Sequence, residues 1–323
     1  MSEPNSKLPN LNTQTEEFIS ELEAQNNKPL YKLTPTQARE FLQNLQRENY
    51  KEIPADVKDI TIFTDIAGDV NLRVVRPKGN EEKLPAILYI HGGGWVIGDK
   101  NCFDMLIREI AIHTNSVVFF PEYSLSPEVK FPKALEQIYA VLRYIYEEHK
   151  EFNIDKNRIA IAGDSVGGNM ATATAIKIKN DGGANLLFQC LFYPVTNADM
   201  DTHSYDQFRD GPWLTKKAME WFFDAYVPDK TIRDDIYISP LQADESELAG
   251  LPPTLIITAE NDVLRDEGEA YARKLDSANV DVLNIRINGT IHDFLMLNAL
   301  SDTEPAKGAL MFACKTLKKV LHK

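Results

Sequence analysis

Hydrophobic and polar positions change their period along the chain, and the change divides it. Up to residue 50, apolar residues recur at helical spacing, with Phe18 and Leu22 in Thr13–Ala24 and Phe41 and Leu45 in Pro35–Asn49. Thr34-Pro35 suits a helix start. Two strand-like runs follow, Asp59–Thr64 and Leu72–Arg76, and Ala67-Gly68-Asp69 between them suits an antiparallel hairpin. From there β and α patterns alternate. Ala86–Ile90, Ser116–Phe120, the run at Ile159, Leu186–Tyr193, Pro253–Thr258 and Val282–Ile287 read as strands. Phe103–His113, Pro132–His149, the stretch after Gly168, Glu267–Ala278 and Ala306–Leu321 read as helices. Such alternation predicts an α/β fold: a mostly parallel sheet of about eight strands flanked by helices on both faces. One segment interrupts it. Residues 196–250 carry Trp213, Trp221, Phe222, Phe223 and Tyr226 without strand periodicity, which predicts an inserted, largely helical segment.

Composition narrows the function classes. The 323 residues are 43% hydrophobic and 26% charged, ordinary for a globular chain with a sizeable core. Lys plus Arg number 35 and Asp plus Glu 48, a net charge of −13. That excess argues against nucleic acid and anionic membrane surfaces, which select basic patches. No stretch has the length and apolarity of a membrane span, and the polar start, Met1–Asn12, lacks a signal-peptide core. Cys102, Cys190 and Cys314 are scattered, which suits small buried residues rather than a disulfide framework or a metal site. The expectation is a cytoplasmic protein without integral membrane association, metal or cofactor, with a homodimer left open.

Candidate chemistry centres on the run Arg158–Ala171. An Ile-Ala alternation leads into Gly163-Asp164-Ser165-Val166-Gly167 and at once into a small-residue helix. So abrupt a reversal strains the serine at its apex, and glycines are needed where strand and helix nearly touch. The apex exposes Ser165 Oγ beside a helix N-terminus, whose partial positive charge favours a developing anion. An acyl-transfer nucleophile needs that setting. By itself the Gly-x-Ser-x-Gly string is weak, and its surroundings decide. After the third strand comes His91-Gly92-Gly93-Gly94-Trp95, whose glycines can aim backbone N–H groups into a cleft as an oxyanion hole. His91 reads as a structural group that fixes this loop by hydrogen bonding.

The base follows by elimination among six histidines. In sheets of this type the partners follow the nucleophile in the order serine, acid, histidine, which leaves His203, His292 and His322. His322 is one residue from the C-terminus, where order is not expected, and His203 precedes any acid at a strand end. His292 follows the last strand through the expected loop Asn288–Ile291, at the carboxyl edge where such sites assemble. The acid should lie past the preceding strand, where Glu260 and Asp262 both stand. Asp262, farther into the loop, is favoured to reach His292; Glu260 would act from behind it.

Five stretches together resemble signature blocks of the hormone-sensitive-lipase branch of the α/β-hydrolases: His91–Trp95, Tyr123–Glu128 with Phe131-Pro132, Gly163–Asn169, Asp262–Gly268 and His292–Phe294. The resemblance implies a carboxylic ester hydrolase with Ser165 as nucleophile, His292 as base and Asp262 as its orienter. Backbone N–H groups of Gly92, Gly93, Gly94 and Val166 would form the oxyanion hole. It also implies a helical cap made of residues 1–50 and 196–250 over a catalytic domain of residues 51–323. Trp95, Trp213 and Asp164 are candidates for substrate contact. Three positions depart from the family pattern: Val166 for alanine, Ser124-Leu125-Ser126 for Arg-Leu-Ala, and Asp293 for glycine, which adds a carboxylate beside the base.

The expectation is thus a serine esterase of small, short- to medium-chain esters. An amidase or peptidase on the same scaffold usually carries a large additional domain, for which this chain is short. A non-catalytic small-molecule binder should have lost the nucleophile or the base, and both are kept.

Overall fold

Central strands buried on both faces need near-continuous apolar runs, and such runs build the middle of the sheet. The computed structural model describes residues 10–323. Residues 1–9, most of the polar start, lie outside the described residues. The eight strands are β1 (Ala55–Thr64), β2 (Gly68–Pro77), β3 (Leu84–Ile90), β4 (Val117–Glu122), β5 (Ile154–Asp164), β6 (Leu186–Phe192), β7 (Thr254–Asn261) and β8 (Val282–Ile291). They form one sheet in the order β1-β2-β4-β3-β5-β6-β7-β8. β2 runs antiparallel to β1 and β4, and every other pairing is parallel. All seven residues of β3 are buried, whereas the edge strands β1 and β8 alternate.

The helices are α1 (Thr13–Ala24), α2 (Pro35–Glu48), α3 (Asp104–Thr114), α4 (Lys133–Glu147), α5 (Val166–Asp181), α6 (His203–Gln207), α7 (Lys216–Tyr226), α8 (Glu245–Leu248), α9 (Arg265–Ser277) and α10 (Glu304–Leu321). α3 and α10 pack together on one face, and α4, α5 and α9 cover the other, where Thr172 and Tyr271 share a hydroxyl hydrogen bond of 2.7 Å. Among the described residues no helix is long and apolar enough to cross a membrane.

Three expectations need correcting. Residues 196–250 are less helical than expected, with short helical pieces alternating with irregular chain, and α7 is their single helix longer than five residues. Their later part packs back on the body: Asn169 Nδ2 donates to Ile238 O (2.8 Å) and Lys274 Nζ to Leu241 O (2.7 Å). Asn288–Ile291 continues β8 past a break in its register with β7, instead of forming a loop. The C-terminus is ordered as far as His322, whose ring nitrogen lies 3.0 Å from Thr114 O.

The N-terminal helices are tied to the body by polar anchors. Thr34 and Gln37 form a capping box that starts α2. From α2, Arg39 donates to Val96 O (2.8 Å) and Ser126 O (3.0 Å) and pairs with Glu128. Buried Gln46 donates to Cys102 O (2.6 Å) and Met296 O (2.7 Å) and accepts from Asn298 N (2.9 Å). Ahead of α1, Asn12 N and Nδ2 both donate to Gly289 O at 2.9 Å.

Candidate active site

β5 ends at Asp164 and α5 begins at Val166, so the whole reversal falls on Ser165, at φ 55° and ψ −120°. No L-residue adopts that conformation without cost, and the surroundings must impose it. They do so by close approach. A side chain on Gly163 would overlap the Gly167 carbonyl, and one on Gly167 would overlap the Ile90 carbonyl and the His91 backbone. Ser165 N donates to Phe192 O (2.8 Å), which ties the apex to the end of β6.

Three strand ends then meet. Ser165 Oγ lies 2.9 Å from His292 Nε2, and His292 Nδ1 lies 2.7 Å from Asp262 Oδ2. The other oxygen of Asp262 accepts from Leu264 N (3.0 Å), which fixes the carboxylate plane. Glu260 does not touch the ring. It accepts from Gly289 N (2.7 Å) and so holds the strand that leads to His292. Nε2 has a second neighbour, Asp293 Oδ1 at 3.4 Å, and Asp293 Oδ2 accepts from Trp213 Nε1 at 2.9 Å. The Tyr193 ring packs edge-on to the imidazole, with centroids 4.8 Å apart.

The glycine loop divides in two. Gly92 N donates to Asp164 Oδ1 (3.1 Å), so this N–H is committed and does not face the cleft. Gly93 and Gly94 turn at φ 92° and 61°, line the cavity, and donate their N–H groups to no acceptor among the described residues. Val166 N, at the first turn of α5, is likewise without one. A side chain on Gly94 would overlap the Phe222 ring from α7.

Two proposed substrate contacts lie elsewhere. Trp95 is fully buried, stacked on Tyr226 at 4.3 Å and edge-on to Phe223, because its φ of 61° turns the indole away from the cleft. Asp164 sits behind the glycine loop, bonded to Tyr89 OH (2.8 Å) as well as to Gly92. Trp213 does face the cavity. This space, about 800 Å³, is lined by Ser165, His292, Gly93 and Gly94 below and by residues of α1, α2 and the 206–222 stretch above.

Residues 87–296 match the family described as alpha/beta hydrolase fold. The chain belongs to the hormone-sensitive-lipase-like branch of that family. It is 37% identical to the carboxylesterase NlhH of Mycobacterium tuberculosis over 227 residues, 70% of this chain and 71% of that one. It is 33% identical to the ethyl acetate hydrolase of Pseudomonas putida over 262 residues, covering 80% and 81%. Among solved structures, a thermostable esterase from Pseudomonas putida superposes with a TM-score of 0.95 at 43% identity, covering 97% of this chain and 98% of that one.

Buried charge sets the electrostatics of this hydrolase site. Burial pushes the His292 imidazole down, but Asp262, Asp293 and Asp164 outweigh it and carry its pKa up to about 9. Asp293 is raised by burial, against the pull of His292 and Trp213. Asp164 is pushed up to about 7 by burial and by Asp293, against its hydrogen bonds. His91 goes the other way, held near 4 by burial, with Nδ1 2.8 Å from Gly92 O and its ring stacked on Tyr123. It fixes the loop, and burial favours its neutral form.

Several residues position the site with little local signal in the sequence. Asn169 Nδ2 bridges Val195 O (3.1 Å) and Ile238 O, so the elbow helix holds the chain entering the inserted segment and a point in its later part. Glu267, fully buried, accepts from Thr196 N (2.6 Å) and Asn197 N (3.1 Å). Asn169 and Glu267 lie inside blocks already singled out, but their partners are distant in sequence. Tyr193 had one visible signal, an aromatic side chain at the carboxyl end of a strand.

Proposed function

We propose that this carboxylic ester hydrolase is a serine esterase of small, short- to medium-chain esters that works through an acyl-enzyme. The observation that carries the reading is the continuous chain of contacts from Ser165 Oγ through both imidazole nitrogens to Asp262, at 2.9 and 2.7 Å. Ser165 Oγ attacks the ester carbonyl while its proton passes to Nε2, and Asp262 stabilises the imidazolium through Nδ1–H. The N–H groups of Gly93, Gly94 and Val166, at the positive end of α5, supply donors for the tetrahedral oxyanion. The carbon–oxygen bond to the leaving group breaks, and Nε2 returns the proton to the departing alcohol. Water then repeats the sequence on the acyl-enzyme, releasing the acid and restoring Ser165. The cavity, bounded above by the N-terminal helices and the 206–222 stretch, has room for a small acyl group and alcohol, which supports this substrate class. The three free, buried cysteines suit a reducing cytoplasm.

The test is a panel of p-nitrophenyl esters of increasing acyl length, run on three variants beside the wild type. Ser165→Ala should lower kcat by on the order of 10⁴ to 10⁶ in a protein that stays folded. Asp262→Asn should also be severe, because it favours the wrong imidazole tautomer. A folded Ser165→Ala protein that keeps more than about a tenth of wild-type activity would refute the nucleophile. Greater damage from Glu260→Gln than from Asp262→Asn would refute the acid.

A further inference from the structure

Asp293 stands where a carboxylate is least expected. It lies 3.4 Å from the nitrogen that must deprotonate Ser165, in the wall of the substrate cavity. The other charged lining residues, Glu16, Glu23, Lys28, Asp206, Arg209 and Asp210, are exposed. Asp293 is the charged group that sits deep, with 19% of its side chain exposed. Among the described residues no lysine or arginine lies within ion-pair distance of it; its one ionisable partner is His292.

That pairing conflicts with the reaction. His292 must be neutral to accept the serine proton, and in that state it gives Asp293 no counter-charge. The carboxylate cannot turn away, because Trp213 Nε1 holds its second oxygen at 2.9 Å. A partly shielded carboxylate without a counter-ion is costly, and a cation brought by the substrate would relieve it. We propose that Asp293 is a specificity-determining residue that selects esters carrying a cationic group on the alcohol side.

The placement fits the chemistry. The leaving oxygen must come within about 3 Å of Nε2 to receive its proton, which puts the alcohol beside Asp293 Oδ1. An ammonium two carbons from the ester oxygen then reaches that carboxylate. Trp213, Tyr31 and Phe222 also line the cavity, and aromatic faces suit a quaternary ammonium. This inference rests on the serine-esterase reading above.

The test compares choline acetate with 3,3-dimethylbutyl acetate, its uncharged isostere, on the wild type and on Asp293→Asn. The asparagine keeps the size and an acceptor for Trp213. We expect kcat/KM to favour the choline ester by about tenfold in the wild type, from attraction in a partly desolvated site. In Asp293→Asn the preference should fall to near unity, read as the ratio of the two esters at one pH, so that any change in His292 acts on both alike. Tetramethylammonium should inhibit wild-type hydrolysis of the neutral ester competitively, a readout that needs no variant. A wild-type ratio near unity, a preference unchanged in Asp293→Asn, or no inhibition by tetramethylammonium would each overturn the proposal. Hydrolysis of p-nitrophenyl acetate separates the two levels. If that ester is cleaved in a Ser165-dependent way while the choline ester gains nothing, only the charge selectivity fails; if it is not cleaved, the esterase reading fails first.

Discussion

His292 carries the pH behaviour of the site, and the groups facing it set the sign. Burial lowers its affinity for a proton, but Asp262 and Asp293 beside the ring and Asp164 behind the glycine loop raise it to about 9. Only the neutral ring accepts the serine proton, so kcat/KM for a neutral ester should fall as pH drops through about 9. That limb lies well above the ordinary imidazole value, near 6.5. Asp293→Asn removes one of the causes that raise it, so the limb should move to lower pH. A pH profile measured with 3,3-dimethylbutyl acetate checks this, and an unmoved limb would mean that Asp293 does not act on the ring. The position of Asp293 beside the base was legible from its place in the chain. Chain order also led to Ser165, Asp262 and His292, which the fold brings into contact. The committed N–H of Gly92 and the inward turn of Trp95 were not legible. Both depend on partners remote in sequence, Asp164 for the first and Tyr226 with Phe223 for the second.

The elbow between β5 and α5 is where element packing and chemistry meet. α5 approaches β3 so closely at Gly167 that a Cβ there would overlap the Ile90 carbonyl. Neither partner can yield cheaply, because β3 is buried along its whole length and continues into the glycine loop. Gly167→Ala should therefore push the loop and the nucleophile apart, lowering both Tm and kcat. Gly308 is the contrast, since it lies within α10 and a Cβ there meets nothing within 4 Å. Gly308→Ala should raise stability by about 0.5–1 kcal/mol, because alanine loses less backbone entropy on folding and nothing clashes. Thermal unfolding of the two variants decides the matter; equal effects, or a Gly167→Ala protein with wild-type Tm and rate, would remove the close-packing account. At this scale most strands and helices could be read from apolar periodicity. The exceptions are instructive. β5 starts at Ile154, ahead of the polar stretch Asp155–Arg158, because Ile154 pairs with Leu84. β8 runs through Asn288 and Gly289 because Asn261 pairs with Ile291 beyond the break. Strand pairing overrides local composition in both.

Across the whole molecule, the amphipathic N-terminal helices and the 206–222 stretch have apolar faces that meet above Ser165. Leu11, Ile19, Leu22 and Leu30 line the cavity from the N-terminal side, and Trp213, Leu214, Met219 and Phe222 from the inserted side. The sequence showed that these faces had to be buried somewhere. It did not show that α2 is also a structural part of the body, because Gln46 and Arg39 bond to carbonyls more than fifty positions away. A deletion test should therefore spare α2. Removing residues 1–33 takes away α1 and the turn Leu30–Lys32 while keeping Thr34, the cap of α2. It also removes the Asn12 bonds to Gly289, so some loss of activity should fall on every substrate. The loss should nevertheless grow with acyl length, since each methylene left unburied forfeits about 0.8 kcal/mol, roughly fourfold in rate if the burial is used in the transition state. Comparing p-nitrophenyl acetate with hexanoate on the truncated and full-length proteins measures that slope. A folded truncated enzyme should retain part of its acetate activity and lose proportionately more on hexanoate. Equal losses on both would mean that α1 supports the fold alone and leaves the acyl chain uncovered.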